Sequence, residues 1–273
     1  MKDYSVLNKI IRIDESELLE KVPELNTFVV TSENDKSDVV MQFAAQNERE
    51  KCYAISYLPW KQRKSVEQIF FSTHNHRVMM HTLNEEPYTL ALSGEKECDR
   101  KSFLELFMAG FYSYVSRQET ILLHASAVVY RGESLVFVAP SGTGKTTQAE
   151  LWAKHKGATI LNGDKVFLKK EDDGIHAWGS PWKGSSPYAE NASAPLRAIV
   201  ALEQAEENSI RKLEGFEVLE YVVPHVFFPS WDERCEQAVL TFLDQVLGET
   251  EVYLLKCRPD EGAVELLAST IKE

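Results

Sequence analysis

Cysteine is scarce in this chain. Cys52, Cys98, Cys235 and Cys257 stand far apart in 273 residues. With no CxxC and no Cys-His spacing, they exclude a disulfide-built scaffold and a zinc finger and read as reduced structural thiols. His74 and His76 flank an asparagine, with His81 five residues on, but no cysteine or third ligand completes a tetrahedral metal set. Long apolar runs are missing as well: nothing approaches the roughly 18 consecutive apolar residues that span a bilayer. The first residues, Met-Lys-Asp-Tyr-Ser, hold no apolar core of a signal peptide. A cytoplasmic protein with no membrane partner is expected. Positive charge is in deficit, with 30 Lys and Arg against 42 Asp and Glu, a net charge of −12 and a pI of about 5.2. That balance excludes a general nucleic-acid or anionic-surface binder, because such surfaces need excess Lys and Arg. No internal repeat and no low-complexity tract interrupts the chain.

What remains is ordinary globular material, 44% hydrophobic and 26% charged, enough for one large domain or two modest ones. Residues 1–100 alternate short Val-, Ile-, Phe- and Tyr-rich runs with polar turns. Strands are expected over 27–31, 52–57, 68–73, 77–83 and 88–93, in a mostly antiparallel, β-rich N-terminal domain. Residues 101–118 form a linking helix, since apolar positions 103, 104, 107, 108, 111, 112 and 115 make one stripe and Asp99 or Ser102 suits the cap. From 119 to 273 the pattern changes. Strands over 121–130 and 134–139 precede a helix at 145–155, then come a strand at 158–161, a hairpin over 165–178 and a strand at 196–202. Helices over 215–223, 232–247 and 260–271, with a strand at 252–257, make the C-terminal part mainly helical. The fold class is α/β, in the α+β sense, with a β-rich N-terminal region.

The most specific feature is Ala139-Pro-Ser-Gly-Thr-Gly-Lys-Thr-Thr147. A strand of small and β-branched residues, a glycine-rich turn and Lys-Thr opening a helix is what a bound phosphate needs. Backbone N–H groups of Ser141, Gly142, Thr143, Gly144 and Thr147 point at the anion. Lys145 reaches the β- and γ-phosphates and Thr146 ligates Mg²⁺. A second Mg²⁺ anchor is expected at a nearby strand end, and Asp164 is the candidate, against the plainer reading of a turn aspartate. His124 sits in an apolar strand, where a packed core histidine is the alternative. Lys183, in the Gly-, Ser- and Pro-rich stretch 178–188, suits either substrate contact or a connecting loop. Arg197 suits a phosphate or a structural carboxylate, and Arg258 the nucleotide or the surface.

The loop Ser-Gly-Thr-Gly-Lys-Thr-Thr is similar to that of ATP-dependent phosphoenolpyruvate carboxykinases. The wider block resembles the HPr kinase/phosphorylase group: His124-Ala-Ser-Ala-Val, the loop, Leu161-Asn-Gly-Asp-Lys-Val, Gly179-Ser-Pro-Trp and Pro195-Leu-Arg-Ala-Ile. It spans roughly residues 120–260, while the first hundred residues carry no match. Divergent kinases of this group that accompany ribosomal-peptide biosynthesis are similar in length and layout.

The resemblance implies a P-loop kinase core that passes the γ-phosphate of ATP, with Mg²⁺, to a serine or similar hydroxyl of a peptide or small protein. It places Lys145 and Thr146 on phosphate and metal, Asp164 on metal or the hydroxyl proton, His124 near the γ-phosphate or acceptor, and Lys183 and Arg197 on the substrate side. Where that group has two adjacent aspartates, this chain reads Gly163-Asp164-Lys165. A small-molecule kinase and an ATP-binding accessory subunit stand as alternatives, and a homo-oligomer is compatible with the sequence.

Overall fold

The structure is a computed structural model that describes residues 1–14, 17–31, 36–44, 60–64, 68–73, 78–82, 88–93 and 100–271. They form two compact units, Met1–Gln118 with Pro229–Glu236, and Glu119–Phe228 with Gln237–Glu273. The described residues contain mixed α/β structure, with a large sheet in each unit.

The first unit contains β1 (Lys2–Val6), β2 (Lys9–Ile13), α1 (Glu17–Glu20), β3 (Val29–Val30), β4 (Val39–Ala44), β5 (Trp60–Lys64), β6 (Gln68–Thr73), β7 (Val78–Thr82), β8 (Tyr88–Ser93) and α2 (Arg100–Val115). Its eight strands run in the order β3-β1-β2-β4-β8-β7-β6-β5. The pairs β2–β4 and β4–β8 are parallel, and the remaining pairs are antiparallel. β1 and β2 make a two-residue hairpin in which Leu7 and Asn8 take φ of 54° and 59°, the handedness that matches the twist of the flanking strands. Tyr4, Val6, Ile11 and Ile13 face inward.

α2 buries Phe103, Phe107 and Phe111, spaced four apart on one helical face, with ring centroids 5.9 and 6.1 Å apart. Ser102 lies buried inside α2 instead of capping it, and Asp99 falls outside the described residues. So do Cys52, Cys98, His74, His76 and the expected strand at 52–57. The strand expected at 27–31 shrinks to β3, because a 3-10 turn, Pro23–Phe28, takes its first residues.

The second unit continues with β9 (Thr120–Tyr130), β10 (Glu133–Val138), α3 (Lys145–Lys156), β11 (Thr159–Asn162), β12 (Lys165–Glu171), β13 (Gly174–Trp178), β14 (Ser193–Gln204), β15 (Ser209–Lys212), α4 (Phe216–Val222), β16 (Val226–Phe227), α5 (Glu233–Glu249, which begins in the first unit), β17 (Glu251–Cys257) and α6 (Glu261–Thr270). Two long strands organise it. β9 pairs through its first half with β12 and β16 and through its second half with β10 and β11. β14 pairs at its start with β13 and then, parallel, with β10 and β17. Most of β9 is buried, so it reads as a continuous apolar run and not as an alternating one. α3 drives Trp152 into a core shared with Val128, Phe137, Val200 and Leu255. α6 closes this core with Val264 and Leu267; the Asp260 carboxylate caps it by accepting the Ala263 N–H at 3.1 Å. The loop that follows β10 therefore lies at the carboxyl end of a parallel set, β10-β14-β17, where ligand sites of open α/β sheets gather.

Candidate functional site

The turn between β10 and α3 has the conformation that its sequence demands. Gly142 and Gly144 take φ of 80° and 115°, a region that costs a residue with a Cβ but not glycine. No other atom lies within 4 Å of where either Cβ would stand, so the demand is conformational. Gly144 is the N-cap residue of α3 and lacks a side-chain cap, which leaves the first N–H groups of a 12-residue helix directed outward. Neighbouring strands brace the turn: the buried Ser126 hydroxyl on β9 donates to the Lys145 carbonyl at 2.8 Å, and Gln204 at the end of β14 donates to the Thr143 carbonyl at 3.2 Å. Lys145 is 6% exposed, and its Nζ donates to the carbonyls of Ala139 and Pro140 at 2.8 and 3.3 Å. Burial pulls its ammonium pKa down, and the charge of Lys165 adds to that, against the opposing pull of Asp164. Ser141, Gly142 and Thr147 are exposed.

One hydrogen bond ties this loop to the acidic turn. The Thr146 hydroxyl donates to the Gly163 carbonyl at 3.0 Å, the peptide just before Asp164. The acidic turn is itself built by the fully buried Asn162, whose Oδ1 accepts the N–H groups of Asp164 and Lys165 at 2.7 and 2.8 Å, an Asx turn. Asn162 Nδ2 donates to the Ser180 carbonyl at 2.8 Å, and the Ser180 hydroxyl donates to the Lys165 carbonyl, also at 2.8 Å. The stretch 179–188 thus forms part of the acidic turn's wall. A Cβ on Gly163 would stand 2.1 Å from Ser186 Oγ, and one on Gly184 would stand 2.8 Å from the Asp164 carboxyl. Lys183, next to Gly184, is exposed at its ammonium, which donates to the Pro187 carbonyl at 3.3 Å.

Asp164 accepts from both sides. Its Oδ1 lies 3.2 Å from His124 Nε2 and its Oδ2 2.7 Å from Lys165 Nζ. Burial alone raises its carboxyl pKa, but the His124 hydrogen bond and the Lys165 ammonium outweigh burial and hold it at about 2. The carboxylate is therefore charged at any physiological pH and is a weak proton acceptor. Register explains the grouping: Lys165 on β12 lies directly across from His124 on β9. On the other side β16 pairs Val226 with Leu123, and the 3-10 turn Val223–His225 leads directly into it. The His225 imidazole pKa is lowered to about 4 by burial, then by the charges of Lys145 and His124, so it is neutral at pH 7. Lys165 Nζ also stands 5.0 Å from the ring centroid of Phe227, which shares that face of the strands.

No family model and no curated protein sequence matches the chain. Among solved structures it is similar to the Hpr(Ser) kinase/phosphatase from Coxiella burnetii, with 10% identity, a TM-score of 0.35, and coverage of 55% of this chain and 95% of that one.

Those residues suit a magnesium ion held in the way triphosphate sites hold it. Among the described residues no three His, Cys, Asp or Glu side chains converge on a metal position. Mg²⁺ needs no such cage, because one or two protein oxygens and the substrate phosphates complete its octahedron. The Thr146 hydroxyl and the Asp164 carboxylate are the oxygens that would serve.

The structure brings Lys145, Thr146, Asp164, His124 and the Lys183 loop into one neighbourhood. It does not bring Arg197. That guanidinium pairs with Glu251 at 2.6 Å and donates to the Ile271 carbonyl at 2.9 Å. It sits near the start of β14, where Leu196 lies beside Ser134, roughly 13 Å or more along the strands from the loop at about 3.3 Å per residue. Of its two sequence readings, the structural carboxylate is the one found. Arg258 likewise pairs with its neighbour Asp260 at 3.0 Å. Sequence reasoning gave no role to Asn162, Lys165 or His225. Asn162-Gly163 between two strands is a legible Asx-turn signal, whereas His225 comes in only because the turn that carries it leads into β16.

Proposed function

We propose that this chain binds a nucleoside triphosphate, ATP by preference, with Mg²⁺ at residues 139–147 and transfers its γ-phosphate to a hydroxyl, such as a serine of a peptide or small protein. The observation that carries this reading is the hydrogen bond from Thr146 of the phosphate loop to the peptide that leads into Asp164, with His124 on that carboxylate's far side. It sets a phosphate cradle beside an acid–histidine pair, the two halves that a phosphoryl transfer needs.

In this proposal Lys145 and the N-terminus of α3 hold the β- and γ-phosphates, and Thr146 and Asp164 hold the metal, which supplies charge neutralisation when bound. Asp164, ionised throughout, also fixes the His124 ring, as a carboxylate does in other acid–histidine pairs. His124 takes the acceptor proton while the acceptor oxygen bonds to the γ-phosphorus and the bond to the bridging oxygen breaks. Lys183 and the loop around it border the acceptor.

The test is incubation with Mg-ATP and a library of serine-, threonine- and tyrosine-containing peptides, read by mass spectrometry and by ADP release. Phosphopeptide formation that His124→Asn and Asp164→Asn each reduce at least a hundredfold supports the reading, and nucleotide binding without any transfer refutes it. A second reading has an observation of its own. Lys165 pairs with Asp164 at 2.7 Å and neutralises it, as suits a nucleotide-binding accessory subunit; that reading requires ATP to bind without turnover.

A further inference from the structure

Lys165 is the site residue that the reaction above does not use. Its side chain is 18% exposed and, among the described residues, lies against a single carboxylate, that of Asp164, which His124 already engages through its other oxygen. An ammonium has three protons to donate, and Asp164 accepts one. Lys145, close enough for its ammonium to feel Lys165, donates among the described residues only to two backbone carbonyls. The neighbourhood therefore holds two ammonium groups against one carboxylate before either histidine is counted. Half-buried excess positive charge favours an anion, because the Coulomb term grows as water is excluded.

The Lys165 backbone is fixed at both ends, its N–H to Asn162 and its carbonyl to Ser180, and its ammonium stands 5.0 Å from the centroid of the Phe227 ring. The ammonium is thus presented from a rigid strand start, with little entropy left to lose. The side chain across the strand from it is His124, so it lies on the face that carries the acid–histidine pair.

We propose that Lys165 is a second phosphate-facing ammonium, reading the terminal phosphate of the nucleotide directly. The inference rests on the reading of residues 139–147 as a triphosphate site. It makes Lys165 a specificity residue for triphosphate over diphosphate, effective even without a divalent ion.

The test is a comparison of ATP and ADP affinity by titration calorimetry in EDTA, and again with Mg²⁺, for the wild type, Lys165→Met and Lys165→Arg, with circular dichroism to confirm folding. In EDTA the wild type should bind ATP at least tenfold more tightly than ADP. Lys165→Met should reduce that ratio at least fivefold while ADP affinity moves less than threefold, and Lys165→Arg should keep most of it. A Lys165→Met protein that keeps the wild-type ratio, or loses both nucleotides equally, overturns the proposal while leaving the triphosphate site standing. A wild type that binds neither nucleotide, with or without Mg²⁺, overturns the reading of the loop itself.

Discussion

Gly163 is the position at which packing around the site can be measured most directly. A Cβ there would stand 2.1 Å from Ser186 Oγ and 2.6 Å from Ser186 Cβ, while its next neighbour, Thr146 Cγ2, would be at an ordinary 3.5 Å. Ser186 cannot easily retreat. Its N–H donates to the Lys183 carbonyl at 3.0 Å and its hydroxyl accepts the Tyr188 N–H at 3.2 Å. Gly163→Ala should therefore cost about 1–3 kcal/mol, the usual range for overpacking a fixed site. Ser186→Gly removes both clashing atoms and, through the lost Tyr188 bond and added chain freedom, should cost about 1 kcal/mol by itself. In the double variant both clashing atoms are gone, the next neighbour, Thr146 Cγ2, stands at an ordinary 3.5 Å, and most of the alanine's cost should vanish. The cycle then gives a favourable coupling of about 1–3 kcal/mol, far above the few tenths expected of independent sites. Urea unfolding followed by tryptophan fluorescence measures all four proteins. If Gly163→Ala costs the same with and without the Ser186 side chain, the loop does not press on the acidic turn as described.

Three further expectations follow from other contacts. Lys145→Ala should weaken binding of a fluorescent ATP analogue more than tenfold with little change in the urea midpoint, since the ammonium donates only to loop carbonyls. The Asp164 pKa is depressed from 3.8 to about 2, so its contribution of about 2 kcal/mol is complete above pH 4 and is lost as pH falls towards 2. The stability gap between wild type and Asp164→Asn, measured by urea unfolding at stepped pH, should close over that window, and a gap that stays constant from pH 5 to 2 contradicts the assignment. Arg197→Ala should lower stability by about 1 kcal/mol, as expected for a half-exposed ion pair with one added carbonyl bond. Nucleotide affinity should stay within twofold of wild type; a tenfold loss in the same calorimetric assay would return Arg197 to the site.

Much of the second unit could be read along the chain because its signals are local. The expected helix at 145–155 appears as Lys145–Lys156, and the hairpin over 165–178 as β12 and β13, with its turn at Asp172-Asp173. Local propensity and the glycine turn act on the same residues, so one window suffices. β1 and β2 were not foreseen, because Leu7-Asn8 lacks the glycine that usually marks such a hairpin and the burial of Leu7 hides the turn. β15 and β16 were missed because four- and two-residue strands exist only through their partners. In the site, the spacing of loop and acidic turn along the chain drew attention to Asp164. Lys165 reaches His124 through the register of β12 on β9, and His225 comes in on the 3-10 turn that leads into β16 on the other side of β9. Arg197 misled because a lone arginine before an apolar strand carries no sign of which end of that strand its partner occupies.

β9 changes partners immediately after the residue on which the proposed chemistry turns. His124 is its last position paired with β12 and Ala125 its first paired with β10, so two hydrogen-bond ladders share one reading frame across that junction. A one-residue deletion within the strand would turn His124 to the opposite face and, in the same stroke, withdraw the Ser126 hydroxyl from the base of α3. Change in strand length should therefore be tolerated only in pairs of residues, or be displaced into the Arg131-Gly132 turn, where length can vary without altering which side chains look inward. A deletion scan through 120–132, scored for folded yield, would show this parity as an alternation, and the histidine would owe its fixed aspect to the frame as much as to its neighbours.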